Sequence, residues 1–129
     1  MRVLVVEDEP IIALNIQTVL LDLGYRPVGP AASINEATTL LEQRKFDAAI
    51  LDVTLPDGES YSLAESLVER GIPVVFATGR HIEISSPRLA DTPALSKPFD
   101  LTELERNIEI LHDKVQRARE IAGDAPACL

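Results

Sequence analysis

Five short strand-like runs, alternating with segments read as helices, set the strongest limit on how this chain can fold. Val3 to Val6 is unbroken, apolar and mostly β-branched, which suits a strand buried on both faces. Phe46 to Leu51 and Pro73 to Ala77 read the same way, and Ala94 to Ser96 is a shorter version. Arg26 to Pro30 suits only an edge strand, because proline cannot donate to a ladder on both sides. Between these runs, Ile12, Ile16, Val19, Leu20 and Leu23 recur at helical spacing, with Pro10 fitting the first turn and Gly24 ending the helix. Ile34, Ala37 and Leu41 give a second helix an apolar face behind a Ser33/Glu36 capping box. Ala64, Leu67 and Val68 mark a third over 60–69, stopped by Gly71. Residues 80–91, interrupted by Pro87, predict an irregular or broken helix. An Asp100/Glu103 box opens a long last helix with Leu101, Leu104, Ile108, Leu111 and Val115 on one face. Helical crossovers of this length join parallel strands. The expectation is an α/β fold, a parallel five-stranded sheet with helices on both faces.

A chain of 129 residues suits one such domain, placed at 1–122, with 123–129 as a frayed tail of small residues. Trp is absent and aromatics are only 4%, so the core must be aliphatic. A net charge of −9 argues against binding to nucleic acid or to an anionic membrane. Cys128 is the single cysteine and cannot form an internal disulfide. With no signal peptide and no apolar run of the ~18 residues a span requires, a cytoplasmic protein is expected. His81 and His112 are isolated and read as exposed.

In an open parallel sheet, ligands bind beyond the C-terminal strand ends, where the strand order reverses. In the doubly wound, flavodoxin-like order 2-1-3-4-5, that point lies between the first and third strands. Glu7 and Asp8 end the first run and Asp52 ends the third, so three carboxylates are expected in one cleft. Close carboxylates must either protonate or bind a cation. A hard divalent ion, Mg²⁺ or Mn²⁺, is the natural partner, and it leaves positions for phosphoryl oxygens. Thr78 ends the fourth run and can donate a hydroxyl hydrogen bond; Lys97 ends the fifth and brings an ammonium. Phosphoryl transfer needs mainly positioning and charge stabilisation. Each residue alone reads as a solvated charge, a cap or a turn; their meeting at one end of one sheet points to chemistry.

Val-Glu-Asp-Glu at 6–9, Ile-Leu-Asp-Val at 50–53, Leu-Pro-Asp-Gly at 55–58, Ala-Thr-Gly at 77–79 and Lys-Pro-Phe at 97–99 follow a familiar order and spacing. Over about residues 2–117 the chain resembles the receiver domains of bacterial two-component response regulators. Phe76-Ala77-Thr78-Gly79 also resembles the single-domain subgroup named for its Phe-Ala-Thr-Gly motif, although Arg80-His81 departs from its usual continuation. The resemblance implies that Asp52 is the phosphoacceptor, Asp8 a direct metal ligand and Glu7 a neighbour often acting through water. It also implies that the Thr54 backbone carbonyl completes the metal's protein ligands, that Thr78 is the switch hydroxyl, and that Lys97 senses the phosphoryl group. The family usually has a cis bond before the proline matching Pro98; the residues alone leave the isomer open. Ala94 stands where the family usually carries Tyr or Phe. Output is therefore expected to run through ordering of residues 80–91. Thr54 and Arg80, two residues past Asp52 and Thr78, are expected to tune the lifetime of the phosphoryl group.

The expected donor is a sensor histidine kinase or a histidine phosphotransfer protein. With no effector domain read in the chain, output is expected by contact with a downstream protein, from a monomer or weak homodimer. An enzyme acting on a separate substrate is not expected. An aspartyl-nucleophile phosphatase resembling the haloacid dehalogenase group would want Asp-x-Asp on its first strand; Asp52 lies on the third, and Thr54 stands where the second Asp would be. The other alternative is a binding module that keeps the fold without phosphorylation, separable from the first reading by Mg²⁺-dependent labelling of Asp52.

Overall fold

The computed structural model describes residues 1–79 and 87–121. Arg80, His81, Cys128 and the 123–129 tail lie outside these residues, as does most of the segment expected to order on activation. In chain order the elements are β1 (Arg2–Val6), α1 (Pro10–Asp22), β2 (Arg26–Ala31), α2 (Ile34–Gln43) and β3 (Ala48–Leu51). A small hairpin of β4 (Thr54–Leu55) and β5 (Gly58–Glu59) precedes α3 (Tyr61–Glu69) and β6 (Val74–Thr78). A single 3-10 turn at Pro87–Leu89, β7 (Ala94–Ser96) and α4 (Leu101–Ile121) follow. Five strands form one parallel sheet in the order β2-β1-β3-β6-β7. Counted along the sheet-forming strands alone, this is the doubly wound order 2-1-3-4-5.

Side-chain alternation along the strands divides the core in two. Leu4, Val6, Ala49, Leu51, Val74 and Phe76 face Ala37 of α2 and Leu63, Ala64 and Leu67 of α3. Val3, Val5, Ala48, Ile50, Val75 and Ala77 face Ile16, Val19 and Leu20 of α1 and Leu104, Ile108, Leu111 and Val115 of α4. The three central strands carry apolar residues on both faces because both faces are covered. Aromatic packing is sparse, as composition requires; the Tyr61 and Phe76 rings meet edge to face at 5.8 Å.

Several local expectations needed correction. Phe46 is buried, but the third strand starts at Ala48, with Asp47 tied to Arg2 just before it. The Asp47 N–H donates to the Arg2 carbonyl at 2.8 Å, and its carboxylate accepts the Arg2 N–H at 2.7 Å. Leu101 is 59% exposed, since the first residue of α4 projects beyond the sheet and Leu104 is the first to reach the core. Leu23 lies past the end of α1 and is likewise exposed. His112 is half-buried, its ring 5.6 Å from that of Tyr25. Both predicted N-caps form: Ser33 Oγ accepts the Glu36 N–H at 3.1 Å, and Asp100 Oδ1 accepts the Glu103 N–H at 2.8 Å.

Edge strand β2 contains Pro27 and Pro30 and follows β1 with a shift in register between Leu4 and Val6. Gly29 sits at this shift with φ +104°, a region that disfavours side chains. A Cβ there would stand 2.8 Å from the Ala31 nitrogen and 3.0 Å from the Val5 carbonyl oxygen, both backbone atoms with little room to yield. Gly29→Ala is therefore expected to lower stability by about 2 kcal/mol, read as a shift in urea midpoint at unchanged slope. An unchanged midpoint would show that the shift in register relaxes at no cost. Among the described residues, no helix is long and apolar enough to cross a membrane.

Candidate functional site

Ladder bonds at the C-terminal edge of the sheet bring the site together. The Asp52 N–H donates to the Val6 carbonyl at 2.8 Å, setting residue 52 beside the end of β1. The Glu7 N–H donates to the Ala31 carbonyl at 2.9 Å, and the Lys97 N–H donates to the Thr78 carbonyl at 2.8 Å. Four of the five sheet strands thus hand one or two predicted residues to the same rim. The Lys97–Pro98 peptide bond is cis.

Glu7 and Asp52 are buried, 3% and 6% exposed, whereas Asp8 is exposed at the mouth. Carboxylate oxygens of the three lie within 4.8 Å of one another. Lys97 Nζ bridges the two buried acids, 2.5 Å from Glu7 Oε1 and 3.1 Å from Asp52 Oδ2. Glu7 Oε2 also accepts the Glu9 N–H at 3.1 Å. Burial pushes the Glu7 carboxyl up to about 7, against the opposing pull of Lys97 and the Glu9 N–H and with help from the Asp52 charge. Burial would lower the Lys97 ammonium, but its bonds to Glu7 and Asp52 outweigh that and hold it above the usual lysine value. Thr78 is buried at the end of β6.

Three carboxylates facing one ammonium leave an excess of negative charge that either a proton or a cation must offset. The all-oxygen donor set of Glu7, Asp8 and Asp52, with Asp8 open to water, suits a hard divalent ion such as Mg²⁺ better than a softer metal. Among the described residues this is the group of acidic side chains placed to hold one.

Sequence reasoning missed three contacts. The direct Lys97–Glu7 pair was not foreseen, because nothing local links the two positions. Ser60 is fully buried and, although it precedes α3, its hydroxyl does not cap that helix; it donates to the Asp52 carbonyl at 2.6 Å. Asp57, at the tip of the β4–β5 hairpin, accepts the Ile34 and Asn35 N–H groups at 2.9 and 3.0 Å. Its composition signalled a turn and gave no sign of a partner in α2. Thr54, on the same hairpin, is exposed, and its N–H donates to Asp52 Oδ1 at 3.3 Å.

Solved structures share this fold. SdrG of Sphingomonas melonis Fr1 is 38% identical with a TM-score of 0.74, over 87% of this chain and 96% of that one. The non-phosphorylated receiver domain of HemR from Leptospira biflexa is 31% identical with a TM-score of 0.73, over 85% and 92%. The chain belongs to the response regulator receiver domain family, whose model matches residues 3–109. Among curated proteins, the transcriptional regulatory protein PdtaR of Mycobacterium tuberculosis is 34% identical over 126 residues, 95% of this chain and 60% of its own length. The response regulator Rre1 of Synechocystis is 33% identical over 98% of this chain and 57% of its own length. The chain thus spans about three fifths of the length of these two curated relatives.

Proposed function

We propose that this receiver domain is a phosphorylation switch that accepts a phosphoryl group on Asp52 from a phosphohistidine and acts by protein–protein contact. The observation that carries this reading is the buried Asp52 carboxylate held 3.1 Å from the Lys97 ammonium, in a cleft shared with Glu7 and Asp8. An Asp52 oxygen attacks phosphorus, the phosphorus–nitrogen bond breaks, and the imidazole leaves as the electron pair returns to its ring. The donor is a sensor histidine kinase or a phosphotransfer protein. Lys97 turns from Glu7 and Asp52 to the incoming oxygens, and Thr78 donates its hydroxyl to one of them. Mg²⁺ or Mn²⁺, held by Glu7, Asp8, Asp52 and the Thr54 carbonyl, would supply the charge that lets two anionic groups approach. Hydrolysis by water ends the signal, so the chain catalyses only its own loading and unloading. Thr54 stands beside the cleft, positioned to influence that lifetime; Arg80 lies outside the described residues.

The test is intact mass after incubation with acetyl phosphate. One phosphoryl group per chain is expected with Mg²⁺ and none with a chelator. Equal labelling in both conditions would remove the metal from the reading; no labelling in either would shift the function to a binding module.

A further inference from the structure

Thr54 reaches the cleft from a hairpin that has little core of its own. Thr54 pairs with Glu59 and Leu55 with Gly58, and Thr54, Gly58 and Glu59 are exposed. Leu55 anchors it in the core, and two sets of polar contacts add to that hold. At its base, buried Ser60 donates its hydroxyl to the Asp52 carbonyl at 2.6 Å, and its N–H to the Val53 carbonyl at 2.9 Å. At its tip, Asp57 spans to helix α2, with one carboxylate oxygen on the Ile34 N–H and the other on the Asn35 N–H.

Helix α2 does not depend on this second bond for its start. Ser33 already caps it through the Glu36 N–H, and Glu36 Oε2 reaches back to the Ala32 N–H at 2.7 Å. Asp57 takes the two remaining first-turn donors from 23 and 22 residues away, so the bond does more to fix the hairpin than to begin the helix. The hydrogen bonds from Ile34 and Asn35 also hold the Asp57 carboxyl below the usual carboxylate range, so it is ionised at neutral pH.

We propose that Asp57 is a positioning residue for the cleft: by bonding the first turn of α2 at two points, it fixes the hairpin that carries Thr54 and so sets where the Thr54 carbonyl stands relative to Asp52. The inference rests on the reading of the cleft as a metal-assisted phosphoacceptor site. It also gives the cleft a mechanical link to α2, since any ligand that orders residue 54 must also tighten the bonds at residues 34 and 35.

The test is Mn²⁺ binding to the unphosphorylated full chain, followed by the paramagnetic signal of the free ion, in Asp57→Ala, Asp57→Asn and Ser33→Ala. Partners that orient metal ligands are typically worth about 10-fold or more in metal affinity. Asp57→Ala is expected to bind Mn²⁺ about 10-fold more weakly than wild type. Asp57→Asn, which keeps one acceptor oxygen but no charge, is expected to fall between them. Ser33→Ala uncaps the same helix without touching the hairpin; it should bind like wild type while its thermal midpoint drops. Wild-type affinity in Asp57→Ala would overturn the proposal. Equal weakening in Ser33→Ala would do so by placing the effect in helix stability, and an Asn variant as weak as Ala would place it in net charge. A wild-type chain that binds no Mn²⁺ would overturn the cleft reading itself, and this inference with it.

Discussion

Asp52→Ala is expected to take up no phosphoryl group from acetyl phosphate and Mg²⁺ under conditions expected to load the wild-type chain to one per molecule. The loss is expected to be complete rather than partial, because no neighbouring carboxylate is placed to substitute. Glu7 is engaged by Lys97 and the Glu9 N–H, and Asp8 stands exposed at the mouth. The fold should survive, since residue 52 is held through its backbone: its N–H meets the Val6 carbonyl and its carbonyl accepts the Ser60 hydroxyl. Removing the Asp52 charge also removes one cause of the raised Glu7 value, so the variant's Glu7 should ionise at lower pH than wild type. Intact mass and circular dichroism on the same samples separate lost chemistry from lost fold. Labelling retained by a folded Asp52→Ala would move the acceptor elsewhere.

The second large effect concerns Lys97, the one cation that touches both buried acids. Lys97→Met keeps much of the side-chain volume and leaves Glu7 and Asp52 without a counter-charge. Breaking a buried ion pair from one side costs about 3–5 kcal/mol. In metal-free buffer at pH 8, Lys97→Met is expected to lose about 3 kcal/mol relative to wild type. The sign of the pH dependence follows from Glu7. Its folded value, raised to about 7, lies above the 4.5 of the unfolded chain, so between these values the folded state binds more protons. Stability therefore falls as pH rises through that window, and it should fall more steeply when Lys97 no longer stabilises the ionised form. At pH 5, where Glu7 carries a proton, much of the cost of the substitution should disappear. Urea midpoints at both pH values measure this; a loss independent of pH would show that Lys97 contributes packing rather than charge. Added Mg²⁺ should rescue the variant by supplying the missing positive charge.

How much of this was readable depends on how far apart the partners lie. Val3 to Val6 and Pro73 to Ala77 were legible as buried strands because the cause of their burial, helices on both faces, leaves a continuous apolar run. The residues that follow such runs fall at the sheet rim by construction, so Glu7, Asp8, Asp52, Thr78 and Lys97 could be gathered without knowing any contact. Leu101 misled because helical periodicity finds a face but not the point along a helix where the core begins. Phe46 misled because a buried apolar side chain can precede the first residue of a strand. Ser60 looked like an ordinary helix-leading serine, and only the turn that brings it under Asp52 reveals its other partner. Asp57 is the extreme case: a turn residue by composition, whose bonds lie on a helix that precedes it by more than twenty residues.

The two borders of the sheet have a bearing on self-association. A strand with free N–H and C=O groups along one side invites a strand from another molecule, which is how β-proteins polymerise. Here one border is β2, whose Pro27 and Pro30 lack the donors that an added strand would need. The other is β7, only three residues long. Neither border offers a continuous backbone template for edge-to-edge pairing. Helices and loops, rather than strand borders, are then the surfaces left for contact, and they can vary without disturbing the sheet beneath.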